Sequence, residues 1–282
     1  MKKQFILAGT GILLVIAIFI LGRTTTPKKN TPKKAMATMP VASFNIDEFI
    51  NTERKKLTPS QASYLKSLEN KLAANNSADL LTIYNNLANF WKDSAHVFEP
   101  YAFWISKAAK LDNSEKNLTF AAQLFLNRLR GEHDDIKLNW ETKEAISLYE
   151  QALVINPEND DLRIGLGSCY VFGSGRNGNP TETMKGIQQL LSVVRKDSTN
   201  MKAQLVLGVG GYVSGQYDKA IDRLQKVVSA QPENIEAIAF LADAYAAKGD
   251  KESAIKWYNV SKRMINNPRY SQEVDERIRL MK

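Results

Sequence analysis

Thiols, imidazoles and prolines are scarce in this chain of 282 residues, which has one cysteine, two histidines and nine prolines. A lone cysteine, Cys169, excludes an intramolecular disulfide framework. His96 and His133 stand far apart with no cysteine partners, so a zinc site of three or four protein ligands is not expected. Nine prolines and fifteen glycines are too few for a collagen-like or low-complexity chain. The H-E-x-x-H, P-loop and G-x-S-x-G patterns are all missing. Acidic residues do not occur before Asp47, whereas Lys2, Lys3, Arg23, Lys28, Lys29, Lys33 and Lys34 fall in that stretch. The formal charge of +8 is therefore almost all in the tail, and the rest of the chain is close to neutral. A neutral body offers no general field for phosphates, so nucleic acid is not an expected partner.

One long apolar run is present. Phe5 to Gly22 reads FILAGTGILLVIAIFILG, 18 residues without a charge. That length is at the lower end of what crosses a bilayer as a helix. A cleaved secretory signal is the alternative, but its apolar core is shorter and ends at a small-x-small site. This run ends Ile20-Leu21-Gly22-Arg23, and the nearest such triplet, Ala35-Met36-Ala37, lies well beyond it. The reading is an uncleaved signal anchor over residues 1–23, with membrane contact through residues 5–22. The short Lys-bearing N-terminus resembles a bacterial signal anchor and favours a periplasmic body, in a single pass of the inner membrane. The basic flank after the run argues for a body facing the cytoplasm. Residues 24–45 are rich in Thr, Pro and Lys and read as a linker.

The body repeats itself. Residues 201–234 and 235–268 align as two units of 34. Leu207 matches Leu241, Gly208 matches Ala242, Gly215 matches Gly249, and Ala220-Ile221 matches Ala254-Ile255. This resembles the tetratricopeptide repeat (TPR), in which two antiparallel helices cross closely at small residues and a glycine turn joins them. Upstream, Leu166-Gly167 with Tyr170, then Gly186-Ile187, continue the pattern around the insertion 173–180. Ala145-Ile146, Tyr149 and Ala152 form a second helix of a pair whose first is Ser114–Arg130, with an insertion near 131–142. Leu87-Ala88 and Trp91, followed by Tyr101–Leu111, give an earlier pair. The expected organisation is a leading helical segment at 46–79, a TPR array of about five helix pairs at 80–268, clearest at 142–268, and a capping helix at 269–282. The resemblance implies an all-α helical-hairpin solenoid, coiled as a right-handed superhelix, behind a single transmembrane helix and a flexible linker. It is also similar to small membrane-anchored TPR proteins of bacteria.

TPR arrays line their concave face with the first helix of each pair. Projecting the family's inward positions selects Ile164, Ser168, Val171 and Phe172, then Lys202, Leu205, Val209 and Tyr212, then Glu236, Ala239, Asp243, Ala246 and Ala247. The first pair adds Asn85 and Asn89, whose amides can bond a peptide backbone. This groove reads as mostly apolar; its apolar members equally suit packing against the next repeat. The Lys/Asn/Arg clamp by which chaperone-binding relatives hold a terminal carboxylate is missing. Asn159, Asp160 and Asp161 read as helix caps, and the Gly-rich stretch 173–178 as a flexible insertion whose Arg176 could touch a partner. The function expected is a membrane-tethered, non-enzymatic scaffold that binds a protein or peptide partner and needs no cofactor. The alternative is a self-associating structural subunit of an envelope complex.

Overall fold

Short polar side chains set where the helices begin. Asn45, Ser114, Asp134, Asn159, Asn179, Asn200, Asn234 and Asp250 each precede a helix and accept a hydrogen bond from a backbone N–H of its first turn. Each side chain satisfies a donor that has no partner inside the helix. Asn113, Gly249 and Asn266 end helices in the left-handed conformation, at φ of 50°, 89° and 46°. A computed structural model describes residues 43–74, 79–176 and 178–281. The span expected at 5–22 and the linker up to residue 42 lie outside those residues. Among the described residues, no helix is long and apolar enough to cross a membrane.

The described chain is all α. It begins with α1 (Ile46–Arg54) and α2 (Pro59–Ala74). Five helix pairs follow: α3 (Leu80–Asn89) with α4 (Phe98–Asp112), α5 (Glu115–Leu129) with α6 (Asp135–Ile155), α7 (Asp160–Cys169) with α8 (Pro180–Lys196), α9 (Met201–Val213) with α10 (Tyr217–Ala230), and α11 (Ile235–Lys248) with α12 (Lys251–Ile265). The last helix, α13 (Pro268–Met281), packs on α12. The first helices of successive pairs, α5, α7, α9 and α11, also touch one another and form a continuous inner layer. Two of the first helices, α3 and α7, run on into a single wide π-type turn, Phe90–Ser94 and Tyr170–Ser174.

Small residues let each pair close. In the third pair, a Cβ on Gly186 would sit 2.8 Å from the Gly167 carbonyl oxygen, so the backbones themselves are in contact. In the fourth pair Ala220 faces Gly211, where a Cβ would lie 3.3 Å away, and Gly208 receives the Leu224 side chain with the Ala220 carbonyl 3.5 Å off. Gly211, without a side chain, is thus what allows the crossing. Ala242 and Ala254 are both fully buried in the fifth pair.

Two expectations are corrected. The expected insertion at 131–142 is mostly helix, because α6 starts at Asp135 and buries Leu138, Glu141 and Thr142 in register with Ala145 and Tyr149. The Gly-rich stretch is not a free loop: Gly173 and Gly175 are buried, and the Arg176 guanidinium donates to the carbonyls of Leu129 (2.6 Å) and Glu132 (2.9 Å). The leading helical segment is divided into two helices before Pro59, a residue that cannot continue the helix from α1.

A charged cluster lies where α4, α5 and α6 meet. The Lys137 ammonium holds Glu99 at 2.7 Å and Arg128 holds Glu132 at 3.2 Å. Glu141 is fully buried, its nearest cation is Arg128 Nε at 3.6 Å, and neither carboxylate oxygen has a hydrogen-bond partner. Burial pushes Glu141 up to about 7; Glu132 and Glu99 push the same way, and Arg128 opposes them.

A candidate groove on the inner helices

The inner face of α5 carries Lys116, Thr119, Gln123 and Leu126 at alternating spacings of three and four, one stripe along the helix. Across from it, α7 presents Asp161, Gly165 and Ser168, and Lys202 comes from the start of α9. Together they border a cavity of about 810 Å³. Tyr149 reaches this floor from α6 because Gly165 has no side chain: a Cβ there would lie 2.4 Å from the tyrosine ring. The Tyr149 hydroxyl donates to Gln123 Oε1 at 3.0 Å. Ser168 donates to the Ile164 carbonyl at 2.7 Å, Glu115 accepts from Asn159 at 2.6 Å, and Lys202 stands 3.4 Å from Asp161. The Thr119 hydroxyl is buried and has no partner.

Beyond these stripes, Arg130 caps α5 and Phe172 lies in the wide turn after α7. The guanidinium of Arg130 lies 4.1 Å over the Phe172 ring and holds the Glu236 carboxylate of α11 at 2.6 Å. The contact joins the second pair to the fifth. A smaller notch of about 230 Å³ lies between α3, α4 and α5, bordered by Asn85, Ile105, Asn117 and the half-exposed Phe120.

The residues projected from sequence fall in different environments. Asn85, Ile164, Ser168 and Lys202 border cavities, and Asn89 and Ala247 are exposed. Val171, Phe172 and Val209 are buried core, as are most of the Ile164 and Ser168 side chains, so they offer a partner little or no surface. The reason is the wide turn after Cys169 and the closeness of α7 and α9, which fold these apolar side chains between the pairs. Leu205 and Tyr212 are partly buried, Tyr212 packing on Phe240 at 5.9 Å. Asp243 accepts from Tyr258 and from Arg277 of α13 (2.9 Å), and Ala246 packs into the cluster that α13 covers. Ala239 is partly buried, and Glu236 is engaged by Arg130.

The groove border mixes polar side chains, among them Lys116, Thr119, Gln123, Asp161 and Lys202, with the apolar Leu126, Leu162 and Ile164. Its main wall, α5, is not among the helices projected inward from sequence, although Ala121-Ala122 and Phe125 place that helix in the repeat register. The same positions that select Asn85 and Asn89 in α3 select Thr119 and Gln123 in α5. No group of three or more His, Cys, Asp or Glu side chains that could hold a metal occurs among the described residues.

Comparison with known proteins places this architecture. The tetratricopeptide-repeat family TPR_19 matches residues 214–272. A search of curated protein sequences gives no match. Among solved structures, the thermophilic TPR protein TTC0263 of Thermus thermophilus is similar at 15% identity and a TM-score of 0.50, covering 73% of this chain and 98% of its own. MamA 41-end from Desulfovibrio magneticus RS-1 aligns at 16% identity and a TM-score of 0.48, over 67% of this chain and 96% of its own. YrrB, described as a TPR protein with an unusual peptide-binding site, aligns at 20% identity and a TM-score of 0.45, over 69% of this chain and 91% of its own. At these identities the likeness speaks for the fold alone. The repeat spacing, the helix pairs and the family match agree: the chain carries tetratricopeptide repeats.

Proposed function

We propose that this tetratricopeptide-repeat chain is a docking protein that receives a segment of a partner protein in the groove between α5, α7 and α9, and that the run at 5–22 tethers it to the inner membrane with its body in the periplasm. The cavity of about 810 Å³ on the inner helices carries the first part of this reading. Its border offers an amide, hydroxyls and charges of both signs, the groups that bond a peptide backbone and its polar side chains. Nothing in that border pairs a nucleophile with a base, so the geometry favours recognition over reaction. The tether rests on the uncharged run of 18 residues and the basic residues around it.

Site-specific photo-crosslinking in intact cells tests the groove. A crosslinker in place of Gln123 is expected to trap a defined partner, and one in place of the exposed Lys226 on α10 is not. Equal yields from the two positions would reject the groove as the docking surface. The tether is checked by alkaline and high-salt washing of membranes, after which the chain should remain in the pellet with its N-terminus intact.

A further inference from the structure

Arg130 caps α5 one helical turn beyond Leu126, the last α5 residue on the groove border, and its environment is that of a carboxylate receptor. The guanidinium carbon lies 4.1 Å from the centre of the Phe172 ring, a contact that favours stacking and leaves the edge donors for a carboxylate. One of those donors, Nη1, holds Glu236 Oε2 at 2.6 Å. A guanidinium so oriented is suited to bind a carboxylate, where the charge-assisted hydrogen bond adds direction to attraction. Yet the occupant is only lightly held. The Arg130 side chain is 48% exposed and that of Glu236 29%, and exposed ion pairs contribute little to stability. Glu236 also lies in the first turn of α11, where the helix dipole stabilises its charge without Arg130.

We infer that Arg130, seated on Phe172, is the carboxylate-binding position of the groove, that Glu236 occupies it in the unliganded chain, and that the docked partner presents a glutamate side chain that takes the place of Glu236. This rests on the groove being the docking surface. The occupant is identified by charge complementarity and by the chain's own surrogate, a glutamate side chain in an internal segment and not a chain terminus. Docking and release of Glu236 are then one event: a partner that seats its glutamate breaks the ion pair between Arg130 and α11, while one without it leaves that pair in place.

The test uses full-length protein in non-ionic detergent and a peptide copying residues 234–240, acetylated and amidated so that its single carboxylate is the glutamate side chain. Binding is measured by titration calorimetry. E236Q should bind this peptide about two- to fivefold more tightly than the unmodified chain, since the internal competitor is gone. Adding R130Q to E236Q should weaken binding about tenfold. R130K, which keeps the charge and loses the planar face, should also weaken it in the E236Q background, so the conclusion does not depend on R130Q folding normally. A peptide with glutamine at the glutamate position should bind the unmodified and E236Q chains alike, whether its C-terminus is amidated or free. Equal affinity of the unmodified and E236Q chains for the glutamate peptide would overturn the proposal. So would a gain by E236Q for the free-acid glutamine peptide, which would assign the seat to a chain terminus. Crosslinking from Gln123 separates the two levels: a trapped partner with no effect of Arg130 or Glu236 leaves the groove standing and removes the carboxylate seat.

Discussion

Replacing Glu141 with Gln should remove a component of stability that depends on pH near neutrality. Glu141 is fully buried, neither oxygen accepts a hydrogen bond, and its pKa is raised from 4.5 to about 7. The groups facing it are Arg128 and Glu132 at the end of α5, Glu99 on α4, and Lys137, which is committed to Glu99. In the unfolded chain Glu141 loses its proton near its ordinary value. In the folded chain it keeps the proton up to about pH 7. Between those values the folded state binds more protons than the unfolded one, so stability must fall as pH rises. The full difference is on the order of 3 kcal/mol, reached above about pH 7 and absent below about pH 4.5. Glutamine keeps the shape and does not titrate, so E141Q should show a constant offset in place of that slope. Urea unfolding of the full chain in detergent, followed by helical circular dichroism at intervals from about pH 5 to 8, measures both curves. The difference between them reports Glu141 with its coupling to Glu132 and Glu99, because the more distant carboxylates titrate alike in both chains. Parallel curves across this range would show that Glu141 is ionised in the folded state throughout, and that water or a further cation reaches the cluster.

Two substitutions examine the packing. Ala254→Leu forces a branched side chain into the crossing of α11 and α12, where Ala254 and Ala242 are fully buried, and should destabilise by about 1–3 kcal/mol, whereas Ala247→Leu on the exposed face of α11 should change the melting temperature little. Equal melting curves for the two would refute the register of the last pair. Gly173→Ala places a Cβ 2.1 Å from Thr142 Oγ1 and should cost about 1–3 kcal/mol, part of which returns when Thr142 is also changed to Ala, as a double-mutant cycle would show.

The helix pairs could be read from sequence because their crossings demand small side chains at fixed places, and Gly167, Gly186, Ala220 and Ala254 leave that mark wherever the spacing is regular. Interruptions of the spacing concealed the rest. Residues 131–142 lack the repeat's consensus, yet Leu138, Glu141 and Thr142 extend the buried face of α6, and burial sets helix length more strongly than motif. The groove was harder to read because an inward position and a buried one can carry the same residue. Val209 looked like a surface valine at an inward position and is core, because α9 lies close against its neighbours. Thr119 and Gln123, whose polarity marks them as groove, lie in a helix where the motif is weak. Arg130 and Glu236 gave no signal as a pair, since contacts so distant in sequence arise only from the curl of the whole array.

Cys169 has a practical consequence for watching this molecule move. It is the one thiol in the chain, fully buried in the largest apolar cluster, and burial raises its pKa far above the ordinary thiol range. Reaction with a thiol reagent requires a thiolate in contact with solvent. The folded chain should therefore be inert to such reagents, and each modification event should mark an opening of α7 and α8 away from their neighbours. Labelling kinetics then become a clock for local unfolding of the middle of the array, read without introducing a probe. By the same property, a cysteine engineered at an exposed position can be tagged selectively while Cys169 stays in place.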